Sequence, residues 1–134
     1  MLKAVTYILE NNSTVQGLVG NKTVDGLESY HKIYPVVAPS EEKDSYCVCR
    51  ISGKAEISKG CDSYEYAIDV ASYSTTYDAI TALNAAVISA LTDQASGTIN
   101  GVDFSYLNFV NESDGYDVDR RLFFKVTTFN GIGN

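Results

Sequence analysis

Tyr64-Glu65-Tyr66-Ala67-Ile68-Asp69-Val70-Ala71-Ser72-Tyr73 is followed almost at once by Thr76-Tyr77-Asp78-Ala79-Ile80, and the hydrophobic period changes between them. In the first stretch Tyr64, Tyr66, Ile68 and Val70 share one face of an extended chain, while Glu65, Ala67, Asp69 and Ala71 share the other. This alternation predicts a strand over 63–73 with one packed face and one that is wet or at an interface. In the second stretch Tyr77, Ile80, Leu83, Val87 and Leu91 recur at helical spacing and predict a helix over 76–91. Thr75 is placed to cap it, and Asp78 suits the positive end of its dipole.

Toward the N-terminus, Leu2, Val5, Ile8 and Leu9 make an amphipathic helical stripe from Leu2 to about Asn11. Asn12-Ser13 caps a second short turn through Val15 and Leu18. Residues 21–29 read as polar and turn-like, with Asp25-Gly26 the clearest turn signal. Ile33-Tyr34-Pro35 reads as a short extended piece, because Pro35 fixes its own φ and biases Tyr34 away from helix. Residues 39–44 form an acidic loop. A strand follows over 45–53, with Cys47, Cys49 and Ile51 on one face and Tyr46, Val48 and Arg50 on the other. Residues 54–62 read as a connecting loop or long hairpin.

Toward the C-terminus, 99–110 reads as a strand that can break at Asn100-Gly101, a strong turn dipeptide. Residues 111–119 read as a polar turn region. In the last strand Leu122, Phe124, Val126 and Thr128 alternate with Phe123, Lys125, Thr127 and Phe129. Aromatics on both faces imply that the second face also packs or meets another subunit. Residues 131–134 read as a small-residue, flexible tail. The order is α-β-β-α-β-β, an α+β fold: a mostly antiparallel sheet of about four strands with helices packed on one face.

The chain has 134 residues, which fits a single domain over 1–134. Hydrophobic residues are 45% and charged residues 20%, a globular balance. No run approaches the ~18–20 apolar residues of a membrane span, so no membrane partner is expected. The start lacks the apolar core and cleavage site of a signal peptide, which makes expression in a cytoplasm the expectation. Net charge is −7 with no basic stripe, a balance that repels free nucleic acid. Acidic clusters lie at Glu41-Glu42-Asp44 and at 114–119, where Arg120-Arg121 compensates Asp117 and Asp119 locally.

Little in the chain points to chemistry. His31 is the one imidazole, in a polar stretch, and reads as a solvent-facing loop residue. No glycine loop cradles a phosphate. Asp114, Asp117 and Asp119, with Glu112 nearby, lack the ligand spacing of a calcium loop and read as turn residues. Three cysteines cannot close a disulfide framework. Cys47 and Cys49 lie near ~6.8 Å apart on one strand face with parallel side chains, and they read with Cys61 as reduced, small apolar residues. The expectation is no catalytic residue, no cofactor and no metal. Ten tyrosines are a high count. Strand propensity explains them in part; an interface is the sharper reading, with Tyr64, Tyr66, Tyr73, Tyr106 and Tyr116 the ones to watch.

Several of these segments together resemble the tail-completion and tail-terminator proteins of long-tailed bacteriophages. The resemblance runs from about Val5 to Phe129. It rests on Gly17-Leu18-Val19-Gly20 ahead of Ile33-Tyr34-Pro35, on Tyr46-Cys47-Val48-Cys49-Arg50-Ile51-Ser52, and on the strand ending Val70-Ala71-Ser72-Tyr73 before Thr76-Tyr77-Asp78-Ala79. Gly115-Tyr116-Asp117 leading into Arg120-Arg121-Leu122-Phe123-Phe124-Lys125-Val126 carries it at the end. It implies a non-enzymatic virion protein: a homo-oligomeric, six-fold ring that caps a tail-tube protein and meets a head-side neck or connector protein. DNA passes through such a ring without specific binding. The residues expected at interfaces or facing the channel are Glu41, Glu42, Asp44, Tyr64, Tyr66, Asp114, Tyr116, Asp117, Arg120, Arg121, Phe123 and Phe129. Another minor tail or neck protein of like architecture, or a small binding or inhibitor module, is the alternative.

Overall fold

The computed structural model describes residues 1–24 and 28–134. Helix α1 spans Leu2–Glu10 and buries Ala4, Val5, Ile8 and Leu9, the stripe expected from the spacing. Helix α2 spans Ser13–Leu18; its N-cap is Asn12, whose side chain accepts from the Thr14 and Val15 amides, both at 3.1 Å. Next come β1 (Asn21–Val24) and β2 (Glu28–His31), which pair antiparallel where a polar turn region was expected. This pairing has no hydrophobic alternation behind it, so no pattern announces it. The Asp25-Gly26 turn lies outside the described residues.

Strand β3 is Ile33–Pro35, β4 is Tyr46–Glu56 and β5 is Tyr64–Ser74. Helix α3 is Tyr77–Thr92, and its N-cap is Thr76, one residue later than expected, accepting from the Ala79 amide. Strands β6 (Gly97–Ile99), β7 (Val102–Asp117) and β8 (Leu122–Gly133) complete the chain. Asn100 at φ 50° and Gly101 at φ 77° both take the left-handed conformation that a two-residue hairpin turn requires. The Asn100-Gly101 break is therefore the β6–β7 turn.

The fold is mixed α+β with a six-stranded sheet in the order β3-β4-β5-β8-β7-β6. Six strands replace the four expected, because the short β3 and β6 are recruited to the two ends. Every pairing in this sheet is antiparallel except β3 with β4. The largest departure is the β7–β8 hairpin. Residues 111–117 continue β7, pairing Glu112 with Thr127 and Asp114 with Lys125, and the turn shrinks to the residues between Asp117 and Leu122. Polar and small side chains there satisfy a strand whose partner supplies the ladder. Sequence pattern alone reads the same residues as a turn.

The flexible C-terminal tail expected over 131–134 is also corrected. Gly131 and Gly133 are strand residues, and a Cβ on either would come within 2.7 Å of a β7 backbone oxygen, Tyr106 O or Asp103 O. The glycines are there for close approach between β7 and β8. Asn134 is anchored as well: its amide donates to Asp103 O, its side-chain oxygen accepts from the Asp103 amide, and its carbonyl accepts from the Tyr66 hydroxyl.

The main core lies between the helices and one sheet face. Val5, Leu9, Val15, Ile80, Leu83, Val87 and Leu91 meet Cys47, Cys49, Ile68, Val70 and Phe129, all fully buried. The cysteines are free and packed as small apolar groups; burial pushes the Cys47 thiol up to about 12. The opposite sheet face carries a second, smaller cluster of Tyr34, Tyr46 and Leu122, flanked by Ala38, Val48 and Tyr73. Tyr46 stacks on Tyr73 with ring centroids 4.6 Å apart. That face, expected to be wet or at an interface, is thus partly covered by the chain itself.

Candidate assembly surfaces

The residues singled out from the sequence fall into three groups. At one end of the sheet the acidic loop and the β7–β8 turn come together: Ser40, Glu41, Glu42 and Lys43 share a hollow of about 600 Å³ with Asp119, Arg120 and Arg121. Within it the roles divide. Glu42 is 8% exposed and ties the loop down. Its carboxylate accepts from Lys32 Nζ at 2.7 Å and from the Tyr34 hydroxyl at 2.6 Å. Asp44 accepts from the same ammonium at 3.0 Å while its side chain stays mostly in solvent. Burial alone raises a carboxyl and lowers an ammonium. Here the hydrogen bonds and opposite charges outweigh burial, so Glu42 titrates below its ordinary value and Lys32 above its own. Glu42 is therefore a structural anchor, without the free charge a channel lining needs. Glu41, next to it, is exposed.

Asp117 and Arg120 build the turn. The Asp117 carboxylate accepts from the Arg120 amide at 3.1 Å, and Arg120 Nη1 donates to the Tyr46 hydroxyl at 2.8 Å. Arg121 is exposed with φ 56°. Around the corner, on the outer sheet face, lies a hollow of about 420 Å³ bordered by Val36, Val37, Arg50, Asp69, Tyr73 and Arg120. Val36 and Val37 are 64% and 72% exposed. A hydrogen bond from the Val37 amide to Pro35 O at 2.8 Å closes a three-residue γ-turn, with Val36 held at φ 69°. That form is rare and strained, most of all for a β-branched residue.

The second group lies along β7 and α3. Phe123 is half-buried between Tyr77 and Tyr116, with ring centroids at 5.9 and 4.8 Å. Tyr116 is 47% exposed. Asp114 accepts from the Tyr77 hydroxyl at 3.1 Å and lies 3.6 Å from Lys125 Nζ. Deeper in, Asn84 donates to Glu112 at 2.5 Å and accepts from the Thr127 hydroxyl at 2.6 Å. Sequence reading did not single out Tyr77 or Asn84 as polar links. Their helical phase was visible, but the acids they meet were assigned to a turn.

The third group is at the other end of the sheet. Tyr66 is buried and its hydroxyl reaches the C-terminal backbone, while Tyr64 is half-buried beneath the Lys54 ammonium, 3.9 Å from its ring centroid. Phe129 is fully buried in the main core, so it has no surface to offer a neighbour. Phe129 and Tyr66, expected at an interface, are core residues, because the inner face of β5 and β8 is the face that the helices cover.

Among the described residues no three His, Cys, Asp or Glu gather in a way that could hold a metal ion. No helix among them is long and apolar enough to cross a membrane. No protein-family profile matches the sequence, and no curated protein matches it. The fold, by contrast, is similar to that of a chain solved in the virion of the native gene transfer agent (GTA) particle: TM-score 0.69, 15% identity, with 97% of this chain and 91% of that chain covered.

Proposed function

We propose that this protein is a structural virion component that caps a phage-like tail tube as a hexameric ring and joins it to the head-side neck. The observation that carries the reading is the fold similarity to a virion chain over nearly the full length of both. It supports a virion role, the coarser part of what the tail-completion resemblance of the sequence implies. The surfaces suit the role. Polar groups at opposite ends of the sheet, the Glu41–Arg121 hollow at one and Tyr64 with Lys54 at the other, give a ring two different faces. One face would meet the tube and the other the neck. Six protomers at −7 each carry about −42, and an acidic channel keeps DNA moving by like-charge repulsion. The protein would act in the virion, after assembly in the host cytoplasm, with no catalytic step.

The test is disruption of the gene in its phage or particle-producing host, with negative-stain electron microscopy of the lysate. Filled heads separated from tails, or tails of uncontrolled length, are the expected result. Normally joined particles would overturn the capping role. A different minor tail or neck protein of this architecture is the second reading, since the virion similarity favours it equally. Joined particles of normal tail length that leak DNA at the neck would point there.

A further inference from the structure

We propose that the two open edges of the six-stranded sheet pair with each other between copies of this chain, β7 of one copy against the distal half of β4 of the next. The inference rests on the ring reading above and supplies its lateral contact. Strand β6 pairs with β7 only from Val102 to Phe104. Strand β3 pairs with β4 only from Cys47 to Cys49. Among the described residues, β7 beyond Phe104 and β4 beyond Cys49 therefore each have a sheet neighbour on one side alone. Such an edge presents a row of unpaired N–H and C=O groups, a ready template for another strand. The open run of β7 is long and carries apolar side chains in solvent: Phe109 is 44% exposed and Val110 50%.

The charges select which edge meets which. The open run of β7 holds Glu112, Asp114 and Asp117 and no base; Asp114 lies against Lys125 on β8, so Glu112 and Asp117 carry most of its net charge. The open run of β4 holds Arg50, which lies 3.5 Å from Asp69 on β5 and stays mostly in solvent, and Lys54 against one acid, Glu56. Pairing β7 with β7 would set acid against acid; pairing it with β4 sets acid against base. The sheet order puts these strands toward opposite edges of the sheet, so the contact joins two different surfaces and is head-to-tail. Head-to-tail contacts close into rings when each step adds the right rotation. A backbone ladder also tolerates sequence change, so the contact need leave no motif.

Cross-linking tests this. In a Cys61→Ser background, Val110→Cys and Ala55→Cys place exposed thiols on the two open runs, while Cys47 and Cys49 stay buried. The full-length double variant, alone and bound to tails, is treated with a short bismaleimide that tolerates a residue or two of register difference. The expected result is a ladder of covalent multimers on a denaturing gel, ending at the ring's own size, with neither single variant giving it. Dimers from Val110→Cys alone, showing like edges together, would overturn the proposal. So would no cross-link in a preparation that sedimentation velocity shows to be oligomeric; the ring would then stand on another contact. Protein that is monomeric in solution and absent from tails would overturn the ring itself, and this contact with it.

Discussion

Glu42 shows what one buried carboxylate does here. It draws the 39–44 loop onto Lys32 and Tyr34, and its titration is set by those partners. A carboxyl held below its ordinary 4.5 contributes stability that is present above pH 4.5 and lost as pH falls through the folded value. Lys32, held above its ordinary 10.5, contributes below that pH and loses its share as pH rises through its folded value. The pair is thus intact across neutral pH. Glu42→Gln is expected to lower stability at pH 7 by about 1–3 kcal/mol and to flatten the decline below pH 4.5, read by urea denaturation across pH 3 to 8. At the other end of the molecule, Gly131→Ala forces a methyl against Tyr106 O and the Leu107 side chain. Backbone cannot yield there cheaply, so a loss of about 1–3 kcal/mol is expected, measured by the same denaturation at pH 7. A run of Gly and Asn reads in sequence as a tail, because sequence does not show which backbone passes close by. The inward cysteines were legible for the opposite reason: a two-residue period needs no knowledge of the neighbour.

Elements with a strong period of their own were readable; elements defined by a partner were not. Helix α3 and strand β5 sit within a residue or two of where the spacing puts them, since burial on one face is written into each segment. The end of β7 was missed, because Asn111, Ser113, Asp114 and Gly115 carry turn propensity that the β8 ladder overrides. The same error hid half of the candidate surface. Glu112 and Asp114 are not loop acids but strand residues, held by Asn84 on α3 and by Tyr77 and Lys125. At the start of α3, Thr76→Ala removes the side-chain cap on the Ala79 amide and is expected to cost about 1 kcal/mol. The turn after β3 offers a change of the opposite sign. Val36 stands at φ 69° in a γ-turn and makes its stabilising contact through backbone, its amide donating to Cys49 O at 2.7 Å. Val36→Gly keeps that bond and relieves the conformation, so a gain of about 0.5–1 kcal/mol is expected, seen as a rise in Tm. If that variant also weakened tail attachment, the exposed valine would be marked as a contact and the strain as serving it.

At the scale of the whole molecule the question is which acids remain free once the fold has used its share. Glu42 and Asp44 share the single positive charge of Lys32, Asp114 lies against Lys125, and Asp117 is held in the turn by the Arg120 amide. The two acidic clusters in the sequence therefore supply fewer free charges than their composition suggests. Glu41 and Asp119 are exposed and border the same hollow, which the folding of the loop against the β7–β8 turn creates. If the proposed six-fold ring forms and that end of the protomer lines its DNA channel, these two positions set the local field. Glu41→Gln with Asp119→Asn removes two charges per copy, about twelve per six-fold ring, while leaving the Glu42 anchor and the turn intact. Rings and joined particles should form as before, and DNA ejection should slow at low salt by a few-fold. The difference should narrow as added salt shortens the Debye length toward ~8 Å. Equal ejection rates for variant and parent at low salt would place the channel lining elsewhere on the protomer. A loss of joined particles would instead show that this acidic end is the docking face for the neck, and that its charge selects a partner.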